Sequence, residues 1–197
     1  MPQLLRALAN HAGQLTNFSQ LGGQLRLDDK TVRRYTRILE HVFLVRRIEP
    51  WFRNDLKRIV KTPKLHFLDA GLLSVLLGAN SERLAIDRSP FGAILESFVI
   101  SEIHKIASWS NIDVRFSHYR DKDQDEVDLI IENEAGSLVA VEVKASATVS
   151  AADFNGLRKV AAAAGSNFRL GIVLYDGETV VPFGHGLFAA PLSCLWN

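Results

Sequence analysis

Three side chains able to do phosphate chemistry stand in two short segments. Asp128 lies in Glu126-Val-Asp-Leu-Ile-Ile-Glu132, and Glu142 and Lys144 lie in Leu138-Val-Ala-Val-Glu-Val-Lys144. Both segments are rich in β-branched residues and the Asn133-Glu-Ala-Gly136 link is turn chemistry, so they read as a β-hairpin. Side chains two apart share a strand face. Val139, Val141 and Val143 then oppose Ala140, Glu142 and Lys144, while Val127, Leu129 and Ile131 oppose Glu126, Asp128 and Ile130. The hairpin offers an Asp from one strand, and a Glu and a Lys from the next, towards one place. Magnesium takes one or two carboxylates, and a phosphoryl group in transfer takes a nearby cation. The set suits metal-assisted phosphodiester chemistry. A solvated strand face carrying a Glu and a Lys accounts for the same pattern.

The elements that must position these groups follow from the flanking sequence. A long helix is expected from Phe91 to Ser108, with Leu95, Phe98, Val99, Ile103 and Ile106 facing a sheet. Glu96 borders that apolar stripe, and a carboxylate there needs a partner, either a cation or a bound metal. Val114 to Tyr119 reads as a strand and Arg120 to Asp125 as a polar loop. Ala151 to Ala164 reads as a helix with Leu157 and Val160 inward and Arg158 and Lys159 outward. Phe168 to Tyr175 is an apolar strand, and Thr179 to Phe183 a further short one. The expected order is helix, three strands, helix, strand, strand.

The N-terminal third has a different character. Helices are expected over Leu4 to Ala12, over Leu21 to Leu25 behind an Asn17 or Ser19 cap, and over Lys30 to Phe43 behind Asp28 or Asp29. The third carries Val32, Tyr35, Ile38, Leu39 and Val42 as its apolar stripe. Lys30, Arg33, Arg34 and Arg37 fall at i, i+3, i+4 and i+7 on an outward basic face, as in a recognition helix. Leu44 to Trp51 and Lys57 to Lys61 read as strands of a basic wing carrying Arg46, Arg47, Arg53, Lys57, Arg58 and Lys61. Three helices and such a wing make a winged helix-turn-helix, with DNA as the expected partner; winged helices also serve as protein-docking modules. Lys64 to Asp69 leads to a helix over Ala70 to Leu77 with Gly78 as its C-cap. Polar Ser81 to Pro90 is the expected boundary, dividing the chain into 1–86 and 87–197.

Charge follows that division. Residues 1–64 hold 13 Lys and Arg against 5 Asp and Glu, and the remainder 10 against 17, although the whole is only +1. A basic module holds nucleic acid and an acidic one holds divalent metal, with solvated surface as the alternative for both. The one cysteine, Cys194, excludes an internal disulfide and a cysteine-rich zinc site, and fits a reducing cytoplasm. Met1 to Arg6 lacks the apolar core of a signal peptide, and the apolar run Leu72 to Leu77 is too short to cross a bilayer, so no membrane association is expected. His11, His41, His66, His104, His118 and His185 show no zinc spacing, and Trp51, Trp109 and Trp196 read as packing residues.

The order of elements, with Glu96 on the first helix, Asp128 on one strand and Glu142-Val-Lys144 on the next, resembles the PD-(D/E)XK nuclease superfamily, the restriction-endonuclease-like fold. Pro63-Lys-Leu-His-Phe-Leu-Asp-Ala-Gly71, Gly92 to Glu102, Tyr119-Arg120, Glu-Val-Asp128 and Val-Glu-Val-Lys-Ala-Ser146 extend the likeness. Together they resemble the C-terminal domain of unknown function of predicted AAA-type prokaryotic ATPases, from about residue 15 onward. The resemblance implies an α/β chain, an N-terminal winged helix-turn-helix followed by a restriction-endonuclease-like domain with a mixed central sheet. It implies that Asp128, Glu142 and Glu96 ligate Mg²⁺ or Mn²⁺. Lys144 would orient water or stabilise the transition state, while Glu126 receives no role. It also implies either DNA hydrolysis or a non-catalytic docking module of an AAA-type ATPase. The chain holds no Gly-x-x-x-x-Gly-Lys-Ser/Thr, so these residues carry no ATPase motif.

Overall fold

The computed structural model describes residues 2–51 and 62–196. These form two compact units, one of residues 2–48 and 62–101, the other of 49–51 and 102–196. The chain is mixed α/β, with eight strands among the described residues.

The first unit contains α1 (Pro2–Ala9), α2 (Phe18–Leu25), α3 (Asp29–His41), most of β1 (Val45–Pro50), β2 (Lys64–Phe67), α4 (Ala70–Leu77), α5 (Ser81–Ile86) and the first half of α6 (Phe91–Trp109). Its helices begin where side chains satisfy open N–H groups. Asn17 accepts from Gln20, Asp28 from Thr31 and Asp69 from Leu72. Gly78 closes α4 with φ +63°. Leu4, Leu8, Phe18, Leu21, Val32, Leu39, Val45, Leu65, Phe67 and Leu73 form one core.

Two expectations for this unit change. The buried side of α3 is Val32, Thr36 and Leu39, whereas Ile38 and Val42 are exposed. The core takes a narrower stripe than the apolar residues offer. Ser81 to Ile86 is a short helix capped by Asn80, not only a polar linker. β1 pairs antiparallel with Lys64–Phe67, from Val45 opposite Phe67 to Ile48 opposite Lys64. The strand expected over Lys57 to Lys61, and with it Arg53, Lys57, Arg58 and Lys61, lies outside the described residues.

The second unit is built on a mixed sheet of β3 (Val114–Arg120), β4 (Glu126–Asn133), β5 (Leu138–Lys144), β6 (Phe168–Tyr175), β7 (Val181–Gly184) and β8 (Leu187–Pro191). Its order is β3-β4-β5-β6-β8-β7, and the last residues of β1, Glu49 and Pro50, run parallel to β3. β3, β4 and β5 are antiparallel neighbours, while β5, β6 and β8 are parallel. A parallel neighbour requires a crossover, which a 3-10 turn over Ala151–Phe154 and α7 (Asn155–Ala164) supply. Leu157, Val160 and Ala164 of α7 share a core with Val127, Ile130, Leu138, Ala140 and Val173. The Asn133 to Gly136 turn forms as expected: Gly136 N–H donates to the Asn133 carbonyl at 2.9 Å, and Gly136 holds φ +77°.

β8 is an addition to the expected order. Gly184 and Gly186, both at positive φ, turn the chain so that Leu187–Pro191 inserts between β6 and β7. Trp51 is buried as expected, but Trp109 and Trp196 are exposed and do not pack the core.

Candidate functional site

The β4–β5 register brings the chemistry together. Leu129 stands opposite Val141 and Ile130 opposite Ala140, so one further step sets Asp128 against Glu142 on the same face. Both carboxylates are buried, at 4% and 3% exposure, which is not a solvated strand face. Val143 N–H donates to Asp128 Oδ2 at 2.9 Å and fixes that side chain. Lys144 Nζ lies 2.9 Å from Glu142 Oε1 and 4.0 Å from Asp153 Oδ1. Burial works to lower the Lys144 pKa, but the charge and hydrogen bond of Glu142, with the charges of Asp128 and Asp153, outweigh it and hold the pKa above its ordinary value.

Glu126 is the residue that sequence reasoning left without a role. One oxygen from each of Glu126, Asp128 and Glu142 lies within 4.8 Å of the others, the group of three potential ligands found among the described residues. Glu126 Oε2 also accepts from Arg120 Nη1 at 3.0 Å. Its position was readable from its place two residues before Asp128 on one strand. Hard divalent ions take carboxylate oxygens, and these three residues could hold one.

Glu96 is not a member of that group. It lies in the first unit, where its Oε1 is 3.1 Å from Nζ of fully buried Lys64 and 3.8 Å from His66 Nε2. The partner required by a carboxylate at the edge of an apolar stripe is here a lysine. Gly13, at φ +72°, leaves the room: a Cβ there would stand 2.7 Å from Glu96 Oε2.

The basic helix is as exposed as its spacing implies. Lys30, Arg33, Arg34, Arg37, Ile38 and His41 line one open groove along α3. Arg33 pairs with Asp29 at 2.8 Å and lies over the Phe18 ring at 4.4 Å, which holds it in place. On β1, Arg47 is bound to Glu40 at 2.8 Å, and Arg46 is only partly exposed. Lys57 and Arg58 lie outside the described residues.

Comparison with known proteins gives relatives for both halves. An uncharacterized protein of Mycobacterium bovis and another of Mycobacterium tuberculosis are each 33% identical over 187 residues, 93% of this chain and 40% of the relative. The chain thus spans well under half the length of these curated relatives. No solved structure matches. Residues 1–83 match Domain of unknown function (DUF8612). Residues 91–195, more than half of the chain and the part that carries Glu126, Asp128, Glu142 and Lys144, match Domain of unknown function (DUF4143), and the chain belongs to that family.

Proposed function

We propose that this chain binds DNA through the α3 groove and hydrolyses its phosphodiester bonds at the β4–β5 hairpin, with Mg²⁺ or Mn²⁺ held by Glu126, Asp128 and Glu142. The observation that carries the reading is the convergence of three carboxylates beside the Lys144 ammonium. When bound, such an ion lowers the pKa of water and polarises a phosphoryl oxygen. The protein's own contribution is placement. Val143 N–H orients Asp128, and Arg120 holds Glu126 against the start of β4. Lys144, kept protonated by its carboxylate neighbours, puts positive charge where the phosphate gains negative charge in the transition state. Lys30, Arg33, Arg34 and Arg37 supply the sequence-independent attraction for phosphate.

One feature favours a second reading, a non-catalytic docking module of an AAA-type ATPase. Lys144 and Arg120 already stand against Glu142 and Glu126, so the cluster is partly neutralised without an ion. Incubation of the chain with supercoiled, linear and single-stranded DNA in Mg²⁺ or Mn²⁺ separates the two. The first reading expects cleavage by the parent and a loss of about 100-fold or more in Lys144→Met, whose metal affinity persists. Metal binding with no cleavage of any DNA form supports the docking module instead.

A further inference from the structure

We infer that the C-terminal end of α3 is a stacking site for an unpaired nucleobase, with Phe43 as its platform and the basic groove of the same helix as its phosphate track. The inference rests on the proposal that α3 meets nucleic acid, and it names single-stranded nucleic acid as the class bound there.

Phe43 is in the wrong place for a residue that serves the fold. α3 ends in two carbonyl-capping bonds, Phe43 N–H to the Glu40 carbonyl and Leu44 N–H to the Leu39 carbonyl, both 3.0 Å. This is a Schellman ending with Phe43 at its left-handed position, φ +58°. That conformation favours glycine, because any Cβ there crowds the backbone. A large side chain can be retained at such a position if it packs, yet Phe43 is 73% exposed. Leu39 is buried and Leu44 packs against the core of the unit, so the apolar closure of this ending does not need the phenyl ring. The ring is strained in backbone and idle in packing, as groups held for a partner are.

The surroundings select the partner. Phe43 follows two residues after His41, the last lining residue of a groove that also holds Lys30, Arg33, Arg34 and Arg37, of which Arg33 is paired with Asp29. Ile38, in the same groove, is 42% exposed. From Lys30 to His41 the helix rises about 16 Å, enough to follow several successive phosphates. A polyanion that also offers flat apolar faces is single-stranded nucleic acid, since duplex bases keep their faces in the stack. The groove cations hold the backbone and the ring takes a base.

The test uses the full chain in EDTA, titrated with a labelled single-stranded oligothymidylate and with a duplex of equal length, at matched low salt. Phe43→Gly is expected to weaken single-strand binding about tenfold, to leave duplex binding within about twofold, and to leave Tm unchanged or higher because glycine suits the position. Phe43→Asn, which also accepts the left-handed backbone, should match Phe43→Gly, and Phe43→Trp should bind at least as well as the parent. Single-strand binding unchanged in Phe43→Gly overturns the inference while leaving the α3 nucleic-acid reading intact. A parent that binds neither strand form overturns that reading as well. Ring-dependent binding of a polyglutamate peptide, without ring-dependent binding of the oligonucleotide, also overturns it and makes the surface a protein-docking site.

Discussion

Asp121 opens the loop Asp121-Lys-Asp-Gln-Asp125, and its carboxylate organises the approach to β4. Oδ1 accepts from the N–H groups of Asp123 and Asp125 at 2.9 and 3.1 Å. Oδ2 accepts from Tyr119 at 3.3 Å and from Lys159, which also reaches Asp125. Lys159 read as an outward residue of its helix, and no spacing in the sequence announces a partner 38 positions away. Burial works to raise the Asp121 pKa, but Lys159 and the loop N–H groups outweigh it and hold it below the usual value. Hydrogen bonds to Asp121 and Asp125 raise Lys159. Burial first, then the Asp121 charge, pushes Tyr119 up to about 12. The signs agree on the alkaline side. A raised Tyr119 and a raised Lys159 each contribute stability that is full below the unfolded-state pKa of about 10 and is lost as pH rises towards and through the folded value. Tm followed from about pH 8 to about pH 12, a range that brackets the ordinary Tyr and Lys titrations, should therefore fall more steeply in the parent than in Tyr119→Phe or Lys159→Met. A parallel fall in all three contradicts this account of the loop.

Among the elements, α7 and β4 meet at a contact that only glycine permits. A Cβ on Gly156 would overlap the Glu126 carbonyl oxygen. In an exposed helix Gly→Ala stabilises by about 1 kcal/mol. Here the backbone has no room, and overpacking costs of about 1–3 kcal/mol win. Gly156→Ala should lower the urea midpoint and, because the displaced strand carries Glu126 and Asp128, weaken Mn²⁺ binding. An unchanged or raised midpoint contradicts the packing. The strands of this region were legible because alternation and turn chemistry agree: β4 and β5 have the bounds that Glu126 to Glu132 and Leu138 to Lys144 set, give or take Asn133. β8 was not, because Leu187–Pro191 is short, ends in proline and follows a glycine pair, and nothing local distinguishes it from a loop. α3 shows the converse error. Ile38 and Val42 have the apolar type of a buried stripe and lie exposed, since hydrophobicity marks what can be buried and topology decides what is.

At the scale of the whole chain, the basic surplus before residue 65 and the acidic surplus after it correspond to two charged clusters, the α3 groove and the three carboxylates of the hairpin. Asp128, Glu142 and Lys144 were readable from strand parity alone, and Glu126 from the same parity. Glu96 was placed with them by resemblance, and its partner in the structure is Lys64, from a distant segment that periodicity does not link to it. No helix among the described residues is long and apolar enough to cross a membrane. Whether the hairpin holds a divalent ion is tested most directly by thermal denaturation with and without Mn²⁺. At about 100 times Kd, an ion bound only by the folded state adds about 2.7 kcal/mol, or roughly 5–10 °C in Tm for a chain of this size. The parent should show that shift, Lys144→Met should retain it, and Asp128→Asn and Glu142→Gln should lose it. A parent whose Tm is indifferent to millimolar-range Mn²⁺ and Mg²⁺, or an equal shift in Asp128→Asn, would contradict the metal site and the nuclease reading built on it.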